Sequence, residues 1–244
     1  MNKRLKAGLA ASLVVGLVAS GASQAGLIDR GGGLIYDTVL NVTWLADANY
    51  AQTSGFDADG RMIWTTATTW AANLSYFDSV RNVTYTDWRL PTVTDTGTSG
   101  CNDAYTGTDC GYNVDTATGE MAHLWYVDFG NLAPVDTSGN VQAGWGLVNG
   151  AAANDESLFT NIQPFYWYGT AYAPTPGSIA WIFITDLGLQ TFGPQAGEFF
   201  AWAVRPGDVA AAQGVPEPGT LALLGLSLGA MAVARRRRGS FGAS

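Results

Sequence analysis

His123 is the one imidazole available for acid–base chemistry near neutral pH. A base of that kind needs a nucleophile to activate, and no Gly-x-Ser-x-Gly elbow occurs in the chain. His123 is therefore read as a packed or hydrogen-bonded side chain on a helix. Carboxylates are plentiful enough for a two-carboxylate glycosidase, but no spacing singles out a pair. Asp95, Asp103, Asp109 and Asp115 sit among Gly, Thr and Asn, and such oxygen-rich loops suit calcium. Their spacing is not that of an EF-hand, and Asx-turns in a solvated loop use the same residues. Asp103, Asp109 and Asp115 are the candidate calcium ligands; no cofactor is otherwise required. The two cysteines, Cys101 and Cys110, are separated by eight residues in the same loop. In an oxidising compartment that pair is expected to form a disulfide, worth about 2–3 kcal/mol on the chain-entropy model. Zinc in this loop would need more N or S ligands than a distant His123 adds. Finally, Trp145, Trp167, Tyr168 and Tyr172 are candidates for stacking on sugar rings, although a β-rich core packs the same rings inside.

The elements that would position these groups are short. Residues 27–37 and 39–44 read as two short β-prone segments around a turn at Asp37-Thr38. Three glycines at 31–33 make a tight turn rather than a phosphate loop, since no Gly-Lys-Ser/Thr follows. Residues 61–77 carry Trp64, Ala67, Ala71, Leu74 and Phe77 at three- and four-residue steps, which predicts the main helix. Trp70 lies off that stripe. Pro91 excludes helix at Leu90, so 85–92 is a bend whose Asp87 and Arg89 flank Trp88 and can pin backbone amides. A second short helix is expected within 118–129, with Met121, Leu124, Trp125 and Asp128 at helical spacing. Aromatic-rich strands follow at 159–172, a hairpin at 180–185 and 189–192, and a closing strand at 198–205. The fold class is α+β, a single β-rich domain with one or two short helices.

Charge is distributed unevenly over the 244 residues. Between Gly26 and Gly214 stand nineteen acids and five arginines, about −14, with no lysine. Such a surface excludes nucleic acid as a partner, which requires clustered Lys and Arg. It also repels sulfated or uronic polymers unless calcium bridges them. Residues 1–25 have a basic start, an apolar stretch and small residues before Gly26, the pattern of a signal peptide cleaved after Ala25. Residues 26–208 form the body and 209–214 a small-residue linker. Then come Val215, Pro216, Glu217 and Pro218, an uncharged run at 221–234, and Arg235, Arg236, Arg237 and Arg238. Prolines on both sides of an acid keep it extended and exposed. The run predicts a short transmembrane helix, and the arginines hold its end, with 239–244, in the cytoplasm.

That tail resembles the PEP-CTERM sorting signal. The resemblance implies export across the inner membrane of a Gram-negative bacterium and processing near Pro-Glu-Pro by an exosortase. The precursor would be anchored transiently in the inner membrane. A second resemblance covers the body. Asp87-Trp88-Arg89-Leu90-Pro91-Thr92, with the pieces at 33–37, 42–44, 120–125, 165–170, 180–183 and 201–206, is similar to the Lcl-type C-terminal domain. The order of elements is also similar to C-type-lectin-like folds. Some Lcl-type relatives are adhesins for acidic polysaccharides. The resemblances together imply a surface or extracellular-matrix protein, non-enzymatic, binding carbohydrate or protein or serving structurally. The alternative is an extracellular hydrolase acting on polysaccharide.

Overall fold

The computed structural model describes residues 26–97, 105, 109–147 and 155–209. The chain begins with β1 (Leu27–Asp29), β2 (Leu34–Asp37) and β3 (Val42–Leu45). Gly31, Gly32 and Gly33 all have positive φ, near 70°, which lets β1 fold straight back on β2. The turn after β2 is longer than Asp37-Thr38 and closes on Asn41 at φ 53°. Helix α1 (Tyr50–Thr53), β4 (Arg61–Met62), helix α2 (Trp64–Asn73) and the hairpin β5 (Tyr76–Asp78) with β6 (Val83–Tyr85) follow. After a long loop come α3 (Glu120–His123), continued as a π-helical turn Leu124–Asp128, and a 3-10 turn Asp155–Leu158. The chain then forms β7 (Phe165–Ala171), β8 (Ile179–Ile184), β9 (Leu189–Pro194), β10 (Phe199–Phe200) and β11 (Val204–Pro206).

Two larger sheets result, ordered β1-β2-β3-β11 and β4-β10-β7-β8-β9, beside the two-stranded β5-β6 sheet. The domain is β-rich with few short helices, as its short β-prone segments implied. No helix among the described residues is long and apolar enough to cross a membrane, and the expected span at 221–234 lies outside those residues.

Helix α2 is shorter than its periodicity suggested. Its buried face is Ala67, Trp70, Ala71 and Leu74, a cleaner i, i+3, i+4, i+7 stripe than one running on to Phe77. Trp70 is thus part of the core. The helix stops where Leu74 turns extended, and Phe77 lies in β5, 57% exposed.

Alternation along β7 explains how so many aromatics are accommodated. Tyr166 and Tyr168 point into one core with Trp44, Trp181, Phe183 and Trp202. Trp167 points to the other face, into a second core with Trp70, Trp88, Leu90 and Ile182. The indoles also join elements through polar N–H groups that burial obliges to find acceptors. Trp64 donates to the carbonyl of Tyr168, Trp88 to Tyr85, Trp125 to Thr185, Trp167 to Met62 and Trp202 to Leu45, each at 2.8–3.0 Å. Trp181 donates to the Asp95 carboxylate at 2.7 Å.

The bend at 85–92 is a corner between sheets. A bulge in β7 breaks its ladder between Trp167 and Ala171, and the freed Gly169 N–H donates to the carbonyl of Pro91 at 2.8 Å. Arg89 pairs through its backbone with Val204 of β11. Arg89 holds the bend locally, as expected from the sequence, by donating from Nη1 to the Leu90 carbonyl at 3.1 Å, and the side chains on either side of Trp88 also reach distant elements. Arg89 forms a two-pronged pair with Glu120 at 2.6 and 2.7 Å, and Asp87 does so with Arg205 at 2.8 and 2.9 Å.

Candidate functional sites

Of the four aromatics expected to grip a ligand, three are inside. Trp167 and Tyr168 are completely buried and Tyr172 nearly so. This corrects the sequence reading: β7 is covered on both faces over residues 166–168, and Tyr172, just beyond its end, is packed inside as well. Tyr168 donates its hydroxyl to Gln190, and Tyr172 stacks on Phe192 at 4.2 Å. Trp145 alone is exposed, at 47%.

The acidic loop is used for backbone capping. Asp95 accepts from the N–H groups of Gly97 and Ala173 as well as from Trp181. Asp109 is buried and accepts from Thr96 N–H at 2.8 Å; Asp115 accepts from Ala117 N–H at 3.0 Å. Among the described residues Asp109 and Asp115 are not part of a group of three or more metal-ligating side chains. Asp103 lies outside those residues. Cys110 is buried and is not a free thiol, while its expected partner Cys101 also lies outside the described residues.

Two arrangements that the sequence did not disclose stand out. The first is a groove of about 380 Å³ between the α1 turn and α2, lined by Phe56, Thr69, Trp70, Asn73, Leu74 and Ser75. Gly55 at φ 76° turns the chain after α1, and the N–H of Phe56 returns to the carbonyl of Ala51. The Phe56 ring is thereby held 55% exposed, tilted against Trp70 at 6.4 Å. Asn73 donates from its amide nitrogen to the carbonyl of Thr69 at 2.9 Å. The lining holds an aromatic face, an amide and hydroxyls, and no ionisable side chain. A lone Phe in a Gly-Phe-Asp loop was the available signal, hidden by the polar run around it.

The second is a buried cluster of Asp37, His123 and Asp128, each offering one donor atom within 4.8 Å of the others. Asp37 ends β2 with no exposure; its Oδ1 accepts from Val39 and Leu40 N–H at 2.9 Å, while Oδ2 has no hydrogen-bond partner. His123 Nε2 is also buried without a hydrogen-bond partner, 3.8 Å from Asp128 Oδ2, beyond hydrogen-bonding reach. Burial pushes the imidazole pKa below its ordinary value, against an opposing pull from Asp37. His123 and Asp128 share a face because of the π turn, closed by Phe129 N–H to the Leu124 carbonyl. In a regular α-helix residues five apart would stand about 140° apart. Sequence reading placed Asp128 on a helix but had no cue for a π turn, nor for Asp37 from so distant a segment.

All five arginines of the body are engaged. Arg30, Arg81, Arg89 and Arg205 form ion pairs with Asp208, Asp78, Glu120 and Asp87, and Arg61 donates to the carbonyl of Glu198. The body therefore has no idle cation to offer an anionic polymer.

Residues 214–238 match the model of the PEP-CTERM protein-sorting motif. No curated protein and no solved structure matches the chain, and neither comparison supports the resemblance of the body to Lcl-type or C-type-lectin-like domains. The motif covers Val215, Pro216, Glu217, Pro218 and Arg235 to Arg238, and it marks the chain as an exported protein targeted to exosortase, bound for the surface or extracellular space of a Gram-negative bacterium.

Proposed function

We propose that the body is a non-enzymatic binding module of the cell surface or extracellular matrix, and that its ligand is a neutral carbohydrate. The observation that carries this reading is the α1–α2 groove, where the exposed ring of Phe56 stands beside Asn73, Thr69 and Ser75 with no charged group in the lining. An aromatic face takes the apolar side of a sugar ring while amide and hydroxyls meet its hydroxyl groups. The acidic surface, on which four of the five arginines are ion-paired, favours a neutral polymer over a uronic or sulfated one. A Cys101–Cys110 bridge belongs to the same proposal, as the staple of a loop that works outside the cell.

A glycan array probed with the exported protein tests the ligand class. Neutral glycans are expected to be retained, and Phe56→Ala to weaken them about tenfold through lost stacking and buried area, while Trp145→Ala leaves them unchanged. Binding that survives Phe56→Ala but disappears with Trp145→Ala would move the site to Trp145 and defeat this reading.

Destination is tested by fractionation. In a strain lacking exosortase, an antibody to the body should find a tail-bearing precursor in the inner membrane and little protein outside. Equal processing and equal release in both strains would show that the tail is not read as proposed.

A further inference from the structure

We infer that Asp37, His123 and Asp128 form a structural site for a first-row divalent cation, zinc foremost, at the junction of β2 with the α3–π segment. Two facts carry this. One donor atom from each of Asp37, His123 and Asp128 lies within 4.8 Å of the other two. Asp37 has no exposure and His123 only 8%, yet Asp37 Oδ2 and His123 Nε2 lack any hydrogen-bond partner. Buried polar atoms in that condition are costly, and a carboxylate is the costliest of them.

A divalent ion answers both conditions together: its positive charge suits a pair of buried carboxylates, and it takes the lone pair of an imidazole nitrogen. Zinc accepts one nitrogen and two carboxylate oxygens at about 2.0–2.2 Å, leaving a fourth position for water or a second carboxylate oxygen. Donors around a tetrahedral ion at those lengths lie about 3.4 Å apart, so the 3.8 Å His123–Asp128 separation needs only slight contraction. Calcium fits less well, because it takes six to eight oxygens and has little use for imidazole. Asp37 is already oriented by the Val39 and Leu40 N–H groups, the outer hydrogen bonding that fixes a metal-binding carboxylate. The π turn supplies the geometry, and such turns often occur where function requires side chains five apart to converge. Enclosure within the larger core makes the role structural: the ion would tie the first sheet to the segment that carries Trp125.

The test uses the full chain, exported with a tag free of histidine and purified in mild detergent without chelator. Equilibrium dialysis against zinc chloride, followed by elemental analysis, should give one zinc per chain. Chelation should lower the melting temperature and zinc should restore it. Cobalt substitution should produce visible absorption bands of a nitrogen- and oxygen-ligated ion. Asp37→Asn and His123→Ala should both lose the bound ion and the cobalt bands. Should either variant fail to fold, the wild-type dialysis and cobalt spectrum still decide. A folded wild-type chain that retains no zinc, manganese or calcium overturns the inference, as does one equivalent of zinc retained undiminished in Asp37→Asn.

Discussion

Replacing Trp202 with alanine is expected to destabilise the body by about 3–5 kcal/mol, the range for removing a large aromatic from a packed core. The size follows from where the residue sits. β10 pairs with β4 and β7 in the five-stranded sheet, and β11 pairs with β3 in the other. Residues 201–203 are thus the passage from one sheet to the next. Ala201 and Ala203 turn into the core containing Trp167, and Trp202 turns into the core containing Trp44. Its ring meets Trp44 at 5.5 Å, Phe159 at 5.1 Å and Tyr166 at 5.3 Å, and its indole donates to the Leu45 carbonyl at 2.8 Å. Alanine here leaves a void that neighbours from both sheets and the 155–159 segment cannot all collapse into. Trp202→Phe separates the contributions: it keeps most of the ring contact and removes the hydrogen bond, for a smaller expected loss of about 1–3 kcal/mol. Urea unfolding followed by the remaining tryptophan fluorescence reads both. An alanine variant within about 1 kcal/mol of wild type would mean that the joint is not where the two sheets are held together.

The same tryptophan shows what the sequence could and could not disclose. Its strand neighbourhood was legible, because Glu198 to Arg205 is β-prone and ends at Pro206-Gly207. That the strand divides between two sheets was not, since alternation records which way a side chain points and not which sheet receives its backbone. The burial of Trp167, Tyr168 and Tyr172 has a related cause. Rings in a strand covered on both faces look, in sequence, like rings on a half-exposed strand, and only the position of β7 between β10 and β8 decides. The corner at Leu90-Pro91 was legible because proline chemistry is local. Its ties to Glu120 and Arg205 were not, because a long-range ion pair leaves no spacing. The two candidate sites were hidden for the same reason. Phe56 stands over a helix that follows it, and Asp37 meets His123 across eighty-six positions. The tail is the opposite case, an address written in contiguous residues and therefore readable without any fold.

Asp78→Ala is expected to cost about 3–5 kcal/mol, because it strands a buried guanidinium. Asp78 is fully buried and the Arg81 side chain is 7% exposed, with 2.6 Å between Nη1 and Oδ2. The pair also organises its surroundings: Asp78 Oδ1 accepts from Val80 and Arg81 N–H, and Arg81 Nη2 donates to the carbonyl of Arg30 at 2.7 Å. The β5–β6 hairpin is thereby fastened to the glycine turn before β2. Gly32 is part of that arrangement, since a Cβ there would stand 2.6 Å from Asp78 Oδ1. The Asp87–Arg205 pair makes the comparison, for Asp87 is 46% exposed and such pairs contribute under about 1 kcal/mol, screened by salt. Asp87→Ala should therefore be mild and should matter less in high salt, whereas the Asp78→Ala loss should hardly change with ionic strength. Replacing both partners, as Asp78→Asn with Arg81→Met, removes the stranded charge along with the pair and should cost less than the two single changes added. Strict additivity in that double-mutant cycle would show the two side chains acting independently, and the hairpin would then be held by the ring of Tyr76, packed edge-on against Trp88 at 5.8 Å, rather than by charge.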